Sequence, residues 1–328
     1  MNALNARIET LAALGDRLKE FGQTPETRTV IRRAAAENGW FLPDEIIRAV
    51  EILRCELLDA SKLERWAASC PRNPHPKTVL IVMAGNIPLV GFFDLLCVVA
   101  GGHACRIKPS GKDSVLMTHV VDLLREIDPT LPIGVWDGVT APDAVIATGS
   151  DNANRYFRTM FAGVPALLRG SRHSVAVLSG KETPADLAAL EEDLFAYSGL
   201  GCRNVSLLFL PRGTMPALRC TATNPKYRRN YLQTRALLRM RQVEFIDLGG
   251  AVMREERSFP TALSELHYTL YDSLQEVVSW LGDHDGELQC VVSALPVHPR
   301  CVPFGRAQHP GLTDYADDID TMRFLAGI

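Results

Sequence analysis

Residues 78–127 read TVLIVMAGNIPLVGFFDLLCVVAGGHACRIKPSGKDSVLMTHVVDLLREI, in which short apolar runs alternate with longer helical patterns. The predicted elements are strands at 78–83 and 104–107 and helices at 89–100 and 113–127. Short, nearly continuous apolar runs are typical of strands that are buried on both faces of a sheet. Their alternation with helices predicts a parallel α/β sheet with right-handed crossovers.

The same alternation continues on both sides of this stretch. Further strands are predicted near 133–136, 144–147, 174–178, 205–210, 244–248 and 288–294, with helices from about 151 and at 184–197. The first 70 residues carry apolar residues at helical spacing. The sequence therefore predicts an α/β protein with two parallel α/β domains behind an N-terminal helical region.

Composition and charge describe an ordinary globular protein. The 328 residues are 47% hydrophobic with a net charge of −3, so no overall field attracts nucleic acid or a membrane. Eight cysteines occur singly without a C-x-x-C pair, which favours free thiols in a reducing compartment. The N-terminus lacks a signal-peptide pattern, and no apolar run reaches the roughly 18 residues of a membrane span. We expect a cytoplasmic protein.

Residues 195–211, FAYSGLGCRNVSLLFLP, hold the strongest candidate for a reactive group. Cys202 lies between two turn glycines, Gly199 and Gly201, and an apolar strand. Glycines let a backbone approach a substrate closely, and nearby donors lower the pKa of a thiol, so Cys202 is a candidate nucleophile. The simpler interpretation is a small buried apolar residue, which is the commoner role of a single cysteine.

Polar residues follow three of the predicted strands. They are Asn86, the run Lys108-Pro109-Ser110, and the run Thr148-Gly149-Ser150. Ligands of open α/β sheets bind beyond the carboxyl ends of strands, so Asn86 is a candidate oxyanion donor and Gly149-Ser150 a candidate phosphate site. A turn cap at Asn86 and a helix N-cap at Ser150 are simpler interpretations. No G-x-G-x-x-G follows any predicted strand.

A basic segment and the histidines give weaker signals. Residues 226–241, KYRRNYLQTRALLRMR, contain six cations. A phosphate or nucleic-acid patch would use them, but a solvated helix face explains them more simply. His298 and Cys301 lack the partner pair that zinc spacing requires, so we expect no metal.

Ordered motifs along the chain resemble the aldehyde dehydrogenase superfamily, and within it the long-chain acyl-CoA reductases, which are bioluminescence-type fatty-acid reductases. The similarity runs from about residue 78 to the C-terminus. Its landmarks, in the family's order, are Gly85-Asn86-Ile87-Pro88, Lys108-Pro109-Ser110, Thr148-Gly149-Ser150, Arg169-Gly170, Gly201-Cys202, 274–278, 289–293 and the tail VPFGRAQHPGL at 302–312. The tail, followed by DYAD at 314–317, indicates the reductase branch.

The resemblance implies an aldehyde-dehydrogenase-like fold and a set of residue roles. Cys202 would take the acyl group from a thioester, while the Asn86 amide and the Cys202 backbone N–H hold the oxyanion. The implied cofactor residues are Lys108 and Ser110 near the adenosine ribose, Gly149 and Ser150 beside the pyrophosphate, and Glu276 at the nicotinamide-side ribose. We expect an N-terminal helical region at 1–75, a dinucleotide-binding domain at 76–193, a catalytic domain at 194–295 and a returning segment at 296–328. We also expect a homo-oligomer.

Two departures from the family pattern refine the expected reaction. Aldehyde dehydrogenases that release acids carry a glutamate as general base where this chain has Leu168. Leucine cannot deprotonate water, so an acyl-enzyme here should be reduced or passed to a thiol rather than hydrolysed. NAD-preferring relatives often carry a carboxylate where this chain has Gly111, followed by Lys112, so nothing repels the 2′-phosphate of NADPH.

The expected function is reduction of acyl-CoA to a fatty aldehyde by NADPH, with NADH as the alternative cofactor, through a thioester on Cys202. The acyl donor is free acyl-CoA or an acyl-transferring partner protein. Two alternatives stay open. One is a non-catalytic acyl-binding or interaction subunit, which the short segments around Glu276 would suit. The other is a cofactor-free cysteine acyltransferase or hydrolase, which needs a base such as His173 or His267.

Overall fold

The computed structural model describes residues 3–71 and 73–328, which divide into two compact units. The first unit runs to Ser171 and also includes Pro310–Ile328, and the second is Arg172–His309. Each unit has its own, mostly parallel sheet, which confirms the predicted α/β class with two domains. Within the described ranges, no helix is long and apolar enough to cross a bilayer.

The first unit begins with the predicted helical region. Its helices are α1 (Ala3–Arg17), α2 (Pro25–Glu37), α3 (Pro43–Ile52) and α4 (Ala60–Ser69). Thr24 and Asp59 cap α2 and α4, because the side chain of each accepts a backbone N–H from the first turn. The apolar residues Ile8, Leu11 and Leu14 recur at helical spacing and are buried in the core of this unit.

A five-stranded parallel sheet follows. Its strands are β1 (Thr78–Val82), β2 (Ala104–Lys108), β3 (Ile133–Val135), β4 (Ala144–Thr148) and β5 (Ala166–Arg169), and the helices between them are α5 (Phe92–Gly101), α6 (Ser114–Ile127) and α7 (Asp151–Met160). The strands lie in the order β3-β2-β1-β4-β5. The order reverses between β1 and β4, and sheets of this kind bind ligands beyond the strand carboxyl ends at such a reversal.

The second unit is built on a seven-stranded sheet. Its elements are β6 (His173–Val177), α8 (Pro184–Phe195), β7 (Val205–Pro211), α9 (Pro225–Met240), β8 (Ile246–Asp247), β9 (Val252–Glu255), β10 (Glu265–Tyr271), α10 (Leu274–Asp283), β11 (Leu288–Val292) and β12 (Cys301–Val302). The strand order is β12-β11-β6-β7-β10-β9-β8, and every pair is parallel except β8 with β9. Phe209 and Trp280 lie together in its core, with ring centroids 5.0 Å apart.

The last residues return to the first unit as α11 (Thr321–Ala326), which packs on α5. Arg169 at the end of β5 donates to both carboxylate oxygens of Asp94 at 2.6 and 2.8 Å and to the Thr321 hydroxyl at 2.7 Å. All three side chains are buried. Removing one partner of a buried ion pair leaves an uncompensated charge, so this network holds β5, α5 and α11 together.

The division between the units differs from the expected boundary at 193/194. Strand β6 pairs with β7 on one side and β11 on the other, so residues 172–193 belong to the second sheet. The sequence also predicts one strand at 244–248, where the structure has the two-residue β8, and it misses β5, β9, β10 and β12. Strand β10 buries Glu265, His267 and Thr269, so it has no apolar run by which to be recognised.

Candidate active site

Cys202 is exposed on the turn that precedes β7. Its thiol lies 3.8 Å from Oε1 of Gln289 near the start of β11. Cys55 is the other exposed cysteine, and the remaining six are buried or half-buried. An exposed thiol can reach a substrate, which is the first requirement for a nucleophile.

The backbone before Cys202 is strained. Tyr197 (φ 53°, ψ 31°) and Ser198 (φ 57°, ψ 33°) both adopt the left-handed conformation, and Gly199 follows with φ 67°. Left-handed non-glycine residues cost of order 1–3 kcal/mol each and persist only where their surroundings hold them. Both side chains are buried, and no partner for the Ser198 hydroxyl occurs among the described residues. Strain of this kind is concentrated at functional sites.

The buried side chain of Asn204 holds this turn in place. Its Oδ1 accepts the Gly201 N–H at 2.8 Å. Its Nδ2 donates to the carbonyl oxygens of Asp193 at 3.1 Å and Ala196 at 3.0 Å. One amide thus ties the residue before Cys202 to the end of α8, and it satisfies backbone groups that would otherwise be buried without partners.

Ser174 supports Cys202 from the neighbouring strand. Its hydroxyl donates to the Cys202 carbonyl oxygen at 2.9 Å and lies 3.2 Å from the Cys290 sulfur. Burial raises the pKa of the Cys290 thiol, although the Arg203 charge and the Ser174 hydroxyl act in the opposite direction. Cys290 therefore remains a buried thiol, and Cys202 is the accessible sulfur of the two.

Asp193 brings the tail motif to the same end of α8. Its carboxylate is fully buried and accepts the backbone N–H groups of Gly305 at 2.6 Å and Ala307 at 3.0 Å. Since the Asp193 carbonyl also accepts from Asn204, the segment 303–307 and the Cys202 turn share one support. Charge-assisted bonds of this kind are about twice as strong as neutral ones.

The two histidines proposed as bases have other partners. The His173 ring stacks on Phe259 at a centroid distance of 4.1 Å, and burial lowers its pKa. The buried His267 ring places Nδ1 2.6 Å from the Ser258 carbonyl oxygen and Nε2 3.2 Å from Glu265 Oε1. With both nitrogens in hydrogen bonds, His267 is a structural residue of β10 rather than a free base.

In the first unit, Asn86 is half-buried on the turn after β1. This turn packs tightly on the turn after β2, because a Cβ on Gly85 would lie 2.6 Å from the Cβ of Ser110. Leu89 closes the turn in the left-handed conformation, with φ 57°. Asn86 and Ser110 are therefore held on two adjacent turns at the carboxyl ends of neighbouring strands.

A buried carboxyl group, Asp113, anchors these turns. Its Oδ2 accepts the Leu89 N–H at 2.7 Å, and no partner for Oδ1 occurs in the described part of the chain. Burial raises the pKa of Asp113 to about 8, against a smaller lowering by the Leu89 N–H. At neutral pH this side chain is thus mostly the uncharged acid.

Four of the five residues expected to bind a dinucleotide, Lys108, Ser110, Gly149 and Ser150, lie at the same edge of the first sheet. Lys108 ends β2, is exposed, and has its ammonium 6.0 Å from the ring centroid of Trp136. The Gly149 N–H donates to the Arg169 carbonyl at 3.1 Å, so this amide pairs β4 with β5. The Ser150 hydroxyl caps α7 by accepting from Ala153 at 3.4 Å. The reversed strand order and the exposed Lys108 fit a dinucleotide, whereas the Gly149 amide is already engaged.

Glu276 lies apart from Cys202 within the second unit. It sits in the first turn of α10, beyond the carboxyl end of β10, and pairs with Arg257 at 2.7 Å. Cys202 precedes the amino end of β7, and β7 and β10 run parallel. The two residues therefore lie at opposite ends of strands about 20 Å long. This geometry does not favour Glu276 as a residue of the Cys202 site.

Leu168 is half-buried on β5, where it packs against an apolar cluster that contains Val145 and Phe157. A cluster of this kind has no carboxylate to accept a proton from water. Among the described residues, no group of three or more His, Cys, Asp or Glu side chains could hold a metal ion.

Some supporting residues were not identified from the sequence. Asn204, Ser174, Asp193 and Asp113 act through buried hydrogen bonds between elements, which residue spacing does not encode. Gln289 belongs to a quoted motif, but its proximity to the Cys202 sulfur depends on the order of the strands.

Two mostly parallel sheets with connecting helices define an α/β protein. Comparison with known proteins shows which solved structures share this fold. No protein-family model matches the sequence, and no curated protein matches it. Solved structures do match. A Burkholderia cenocepacia protein provisionally assigned as an aldehyde dehydrogenase superposes with a TM-score of 0.64 at 14% identity, over 88% of this chain and 74% of that one.

Two further matches carry NAD+. Betaine aldehyde dehydrogenase from Staphylococcus aureus in complex with NAD+ gives a TM-score of 0.62 at 11% identity, over 88% of this chain and 70% of that chain. The NAD+ complex of an aldehyde dehydrogenase from Bacillus cereus gives 0.59 at 14% identity, over 89% and 72%. The fold of this chain is therefore similar to that of the aldehyde dehydrogenases. At these identities the likeness concerns the fold alone.

Proposed function

We propose that this protein is an NAD(P)-dependent acyl-CoA reductase that forms a fatty aldehyde through a thioester on Cys202. The observation that carries the proposal is the exposed Cys202 thiol on a strained turn held by buried hydrogen bonds, in a chain with an aldehyde-dehydrogenase-like fold. The proposal assigns cofactor binding to the first unit and acyl chemistry to the second.

The first step is a thioester exchange at Cys202. The Cys202 thiolate attacks the carbonyl carbon of acyl-CoA, and the new C–S bond places negative charge on the carbonyl oxygen. We assign the Asn86 side-chain amide and the Cys202 backbone N–H to this oxyanion. The adduct then breaks its C–S bond to coenzyme A, which leaves as a thiolate and takes a proton from solvent. The acyl group remains on Cys202.

Lys108 and Ser110 are the residues that we propose for the cofactor, with Ser150 at the start of α7. Bound NAD(P)H would supply the hydride that reduces the acyl thioester. Departure of the Cys202 sulfur with the electrons of its C–S bond would release the aldehyde and restore the Cys202 thiolate for the next cycle. An added Cβ at Gly111 would meet nothing within 4 Å, so there is space beside this residue for a 2′-phosphate. The neighbouring Lys112 is exposed and would supply a positive charge to bind it. NADPH is therefore the proposed cofactor.

In the family resemblance Leu168 stands where acid-releasing relatives carry the general base, and leucine cannot deprotonate water, which supports reduction over hydrolysis. The engaged rings of His173 and His267 also argue against a cofactor-free cysteine hydrolase. The acyl donor in this proposal is a long-chain acyl-CoA, or an acyl group delivered by a partner protein.

The proposal is tested by incubating the protein with a long-chain acyl-CoA and following both cofactor absorbance and intact mass. We expect an acyl adduct on the wild-type protein that NADPH discharges with oxidation of the cofactor. Cys202→Ser should abolish both signals. Cys55→Ser removes the other exposed thiol and should leave both unchanged, which makes it the matched control.

Other outcomes would contradict the proposal in distinct ways. Acyl-CoA binding without an adduct or cofactor binding would indicate a non-catalytic acyl-binding subunit. An adduct that water or a second thiol discharges without cofactor would indicate a hydrolase or acyltransferase. Full activity in Cys202→Ser would show that Cys202 is not the nucleophile.

A further inference from the structure

The cations of this protein are concentrated in one stretch of the chain. Residues 194–243 contain nine Lys and Arg and no Asp or Glu. The whole chain has 35 cations and 38 acids, so the other 278 residues hold 26 cations and 38 acids. The net charge of the whole chain is therefore small because a segment of charge +9 is offset by a net negative charge on the other residues. Charge separation of this kind creates local fields that a summed charge does not reveal.

Helix α9 and Arg241, which directly follows it, present most of this charge to solvent. Arg228, Arg229, Arg239 and Arg241 are all exposed, and none of them forms an ion pair within the described ranges. Arg235 differs, because it pairs with Asp247 at 3.4 Å and contacts the Tyr231 ring. Four arginines are therefore free to meet an anionic partner.

Apolar side chains are interleaved with these arginines. Leu232 and Leu237 are each 43% exposed, and Met240 is 81% exposed. At 100° per residue, Leu232 lies in one row with Arg228 and Arg239, and Met240 lies in a row with Arg229. The helix buries its other side through Tyr227, Tyr231 and Leu238, so these rows form an outward face. We call Arg228, Arg229, Leu232, Arg239 and Met240 the α9 face.

We propose that the α9 face binds the surface of a membrane that contains anionic phospholipids. Long arginine side chains reach phosphate headgroups while leucine and methionine enter the acyl boundary, and both are present on one face. Nucleic acid would use the arginines but has no use for an exposed methionine. A second copy of the chain would bring like charges together across a symmetric interface.

The α9 face also lies on the same unit as the Cys202 turn. Thr234 of α9 lies 3.1 Å from the hydroxyl of Ser264, and the adjacent Leu263 borders the Gly199 turn, where a Cβ would lie 3.9 Å from it. Bilayer contact would therefore bring a hydrophobic substrate near the unit that carries Cys202. Membrane binding itself goes beyond the proposed function and does not depend on it.

The test is co-sedimentation of the whole protein with vesicles of phosphatidylcholine alone, or mixed with phosphatidylglycerol. We expect binding only to the mixed vesicles at low salt, and its loss at high salt, where screening shortens the range of charge interactions. A triple variant, Arg228→Glu, Arg229→Glu and Arg239→Glu, should weaken the partition coefficient by at least about 100-fold, since the loss of each cation alone contributes about fivefold. Leu232→Ser with Met240→Ser should weaken binding without changing its salt dependence.

A matched control reverses three exposed arginines on α2, Arg28, Arg32 and Arg33, and should bind vesicles like the wild type. Thermal melting checks that every variant is folded. The proposal is overturned if wild type does not bind the mixed vesicles, or if the control loses as much affinity as the α9 variant. Binding of an acidic protein or a DNA duplex without vesicle binding, or a change of oligomeric state in the triple variant, would also overturn it.

Discussion

The turns that carry Asn86 and Cys202 are each anchored by a buried polar side chain, Asp113 and Asn204, and these two side chains differ in chemistry. Asp113 holds the first turn through one bond to the Leu89 N–H and leaves its other oxygen without a partner in the described chain. Asn204 holds the second turn with both ends of its amide. The first anchor titrates, and the second does not.

Because their anchors differ, the two turns should respond to different perturbations. An uncharged amide with its bonds satisfied gives support that is independent of pH, but it is costly to remove. A buried carboxyl group accepts the Leu89 N–H in either protonation state, but its ionised form carries a desolvation cost, so the stability of its surroundings falls as the proton is lost. The Cys202 turn should therefore be sensitive to mutation, and the Asn86 turn sensitive to pH.

The largest expected effect is that of Asn204→Ala. It leaves the Gly201 N–H and the carbonyl groups of Asp193 and Ala196 buried without their partner. Each unsatisfied group costs about 1–3 kcal/mol of stability if the surrounding structure does not rearrange. We expect a loss of roughly 4 kcal/mol in the free energy of unfolding. Urea unfolding followed by circular dichroism measures it.

Asn204→Asp provides the matched comparison, because it retains the oxygen for Gly201 but loses the donor to the carbonyl groups. At pH 7 its unfolding free energy should be no higher than that of Asn204→Ala, because the new carboxylate oxygen faces the carbonyl oxygens of Asp193 and Ala196 without a cation. Equal stability of all three proteins would show that the amide is not an anchor.

The next effect is the pH dependence of Asp113→Asn. The pKa of Asp113 is about 8 in the folded protein, well above its ordinary value near 4, so the folded state binds more protons between these limits. Stability conferred by the protonated group is complete below pH 4 and is lost as the pH rises toward 8, by at most about 1.4 kcal/mol per pH unit. Asparagine cannot ionise. The variant should therefore gain about 3 kcal/mol relative to wild type between pH 5 and pH 8.

Urea unfolding at the two pH values measures this shift. Asp137→Asn is the control, because its exposed carboxylate has a pKa of about 2, lowered first by the Thr140 hydroxyl and then by backbone N–H groups. Its contribution is constant between pH 5 and pH 8, so no pH-dependent difference should appear. A flat difference for Asp113→Asn as well would mean that Asp113 is ionised in the folded protein.

The sequence predicts elements well where burial is uniform and poorly where it is mixed. Strands β1, β4 and β7 are nearly continuous apolar runs and were located within a few residues. Strand β10 was missed because it buries Glu265 and His267, which are satisfied by one another, and Glu265 also pairs with Arg254. When a buried polar residue is paired with a residue from another segment, the sequence of its own strand does not show that the strand is buried.

The candidate site shows the same limit. Cys202, Asn86 and Lys108 can be proposed as site residues because motifs and strand ends can be read along one chain. Their anchors could not be found in this way. Asn204 and Ser174 gain their roles from contacts with α8 and with the Cys202 backbone, which exist only after folding. The expected boundary at 193/194 likewise differs from the structure, because the pairing of β6 is decided by neighbours on both sides.

Gly85→Ala tests the close packing of the Asn86 turn. The added Cβ would lie 2.6 Å from the Cβ of Ser110, too close without movement of the backbone. We expect a loss of about 2 kcal/mol, as is usual when a tightly packed position is overfilled. The double variant Gly85→Ala with Ser110→Gly should recover most of it. If the double variant is as unstable as the single, the clash lies elsewhere.

The smallest effect is expected for Ser174→Ala, which tests whether the Ser174 hydroxyl positions the backbone of Cys202. The change removes the bond from the Ser174 hydroxyl to the Cys202 carbonyl oxygen, worth about 1 kcal/mol. Because this bond fixes the backbone of Cys202, the alkylation rate of the Cys202 thiol should change as well as the melting temperature. Ser206→Ala is the matched control, since its buried hydroxyl has no partner in the described chain and its loss should be neutral or stabilising. If the two variants behave alike, Ser174 does not position Cys202, and the turn depends on Asn204 alone.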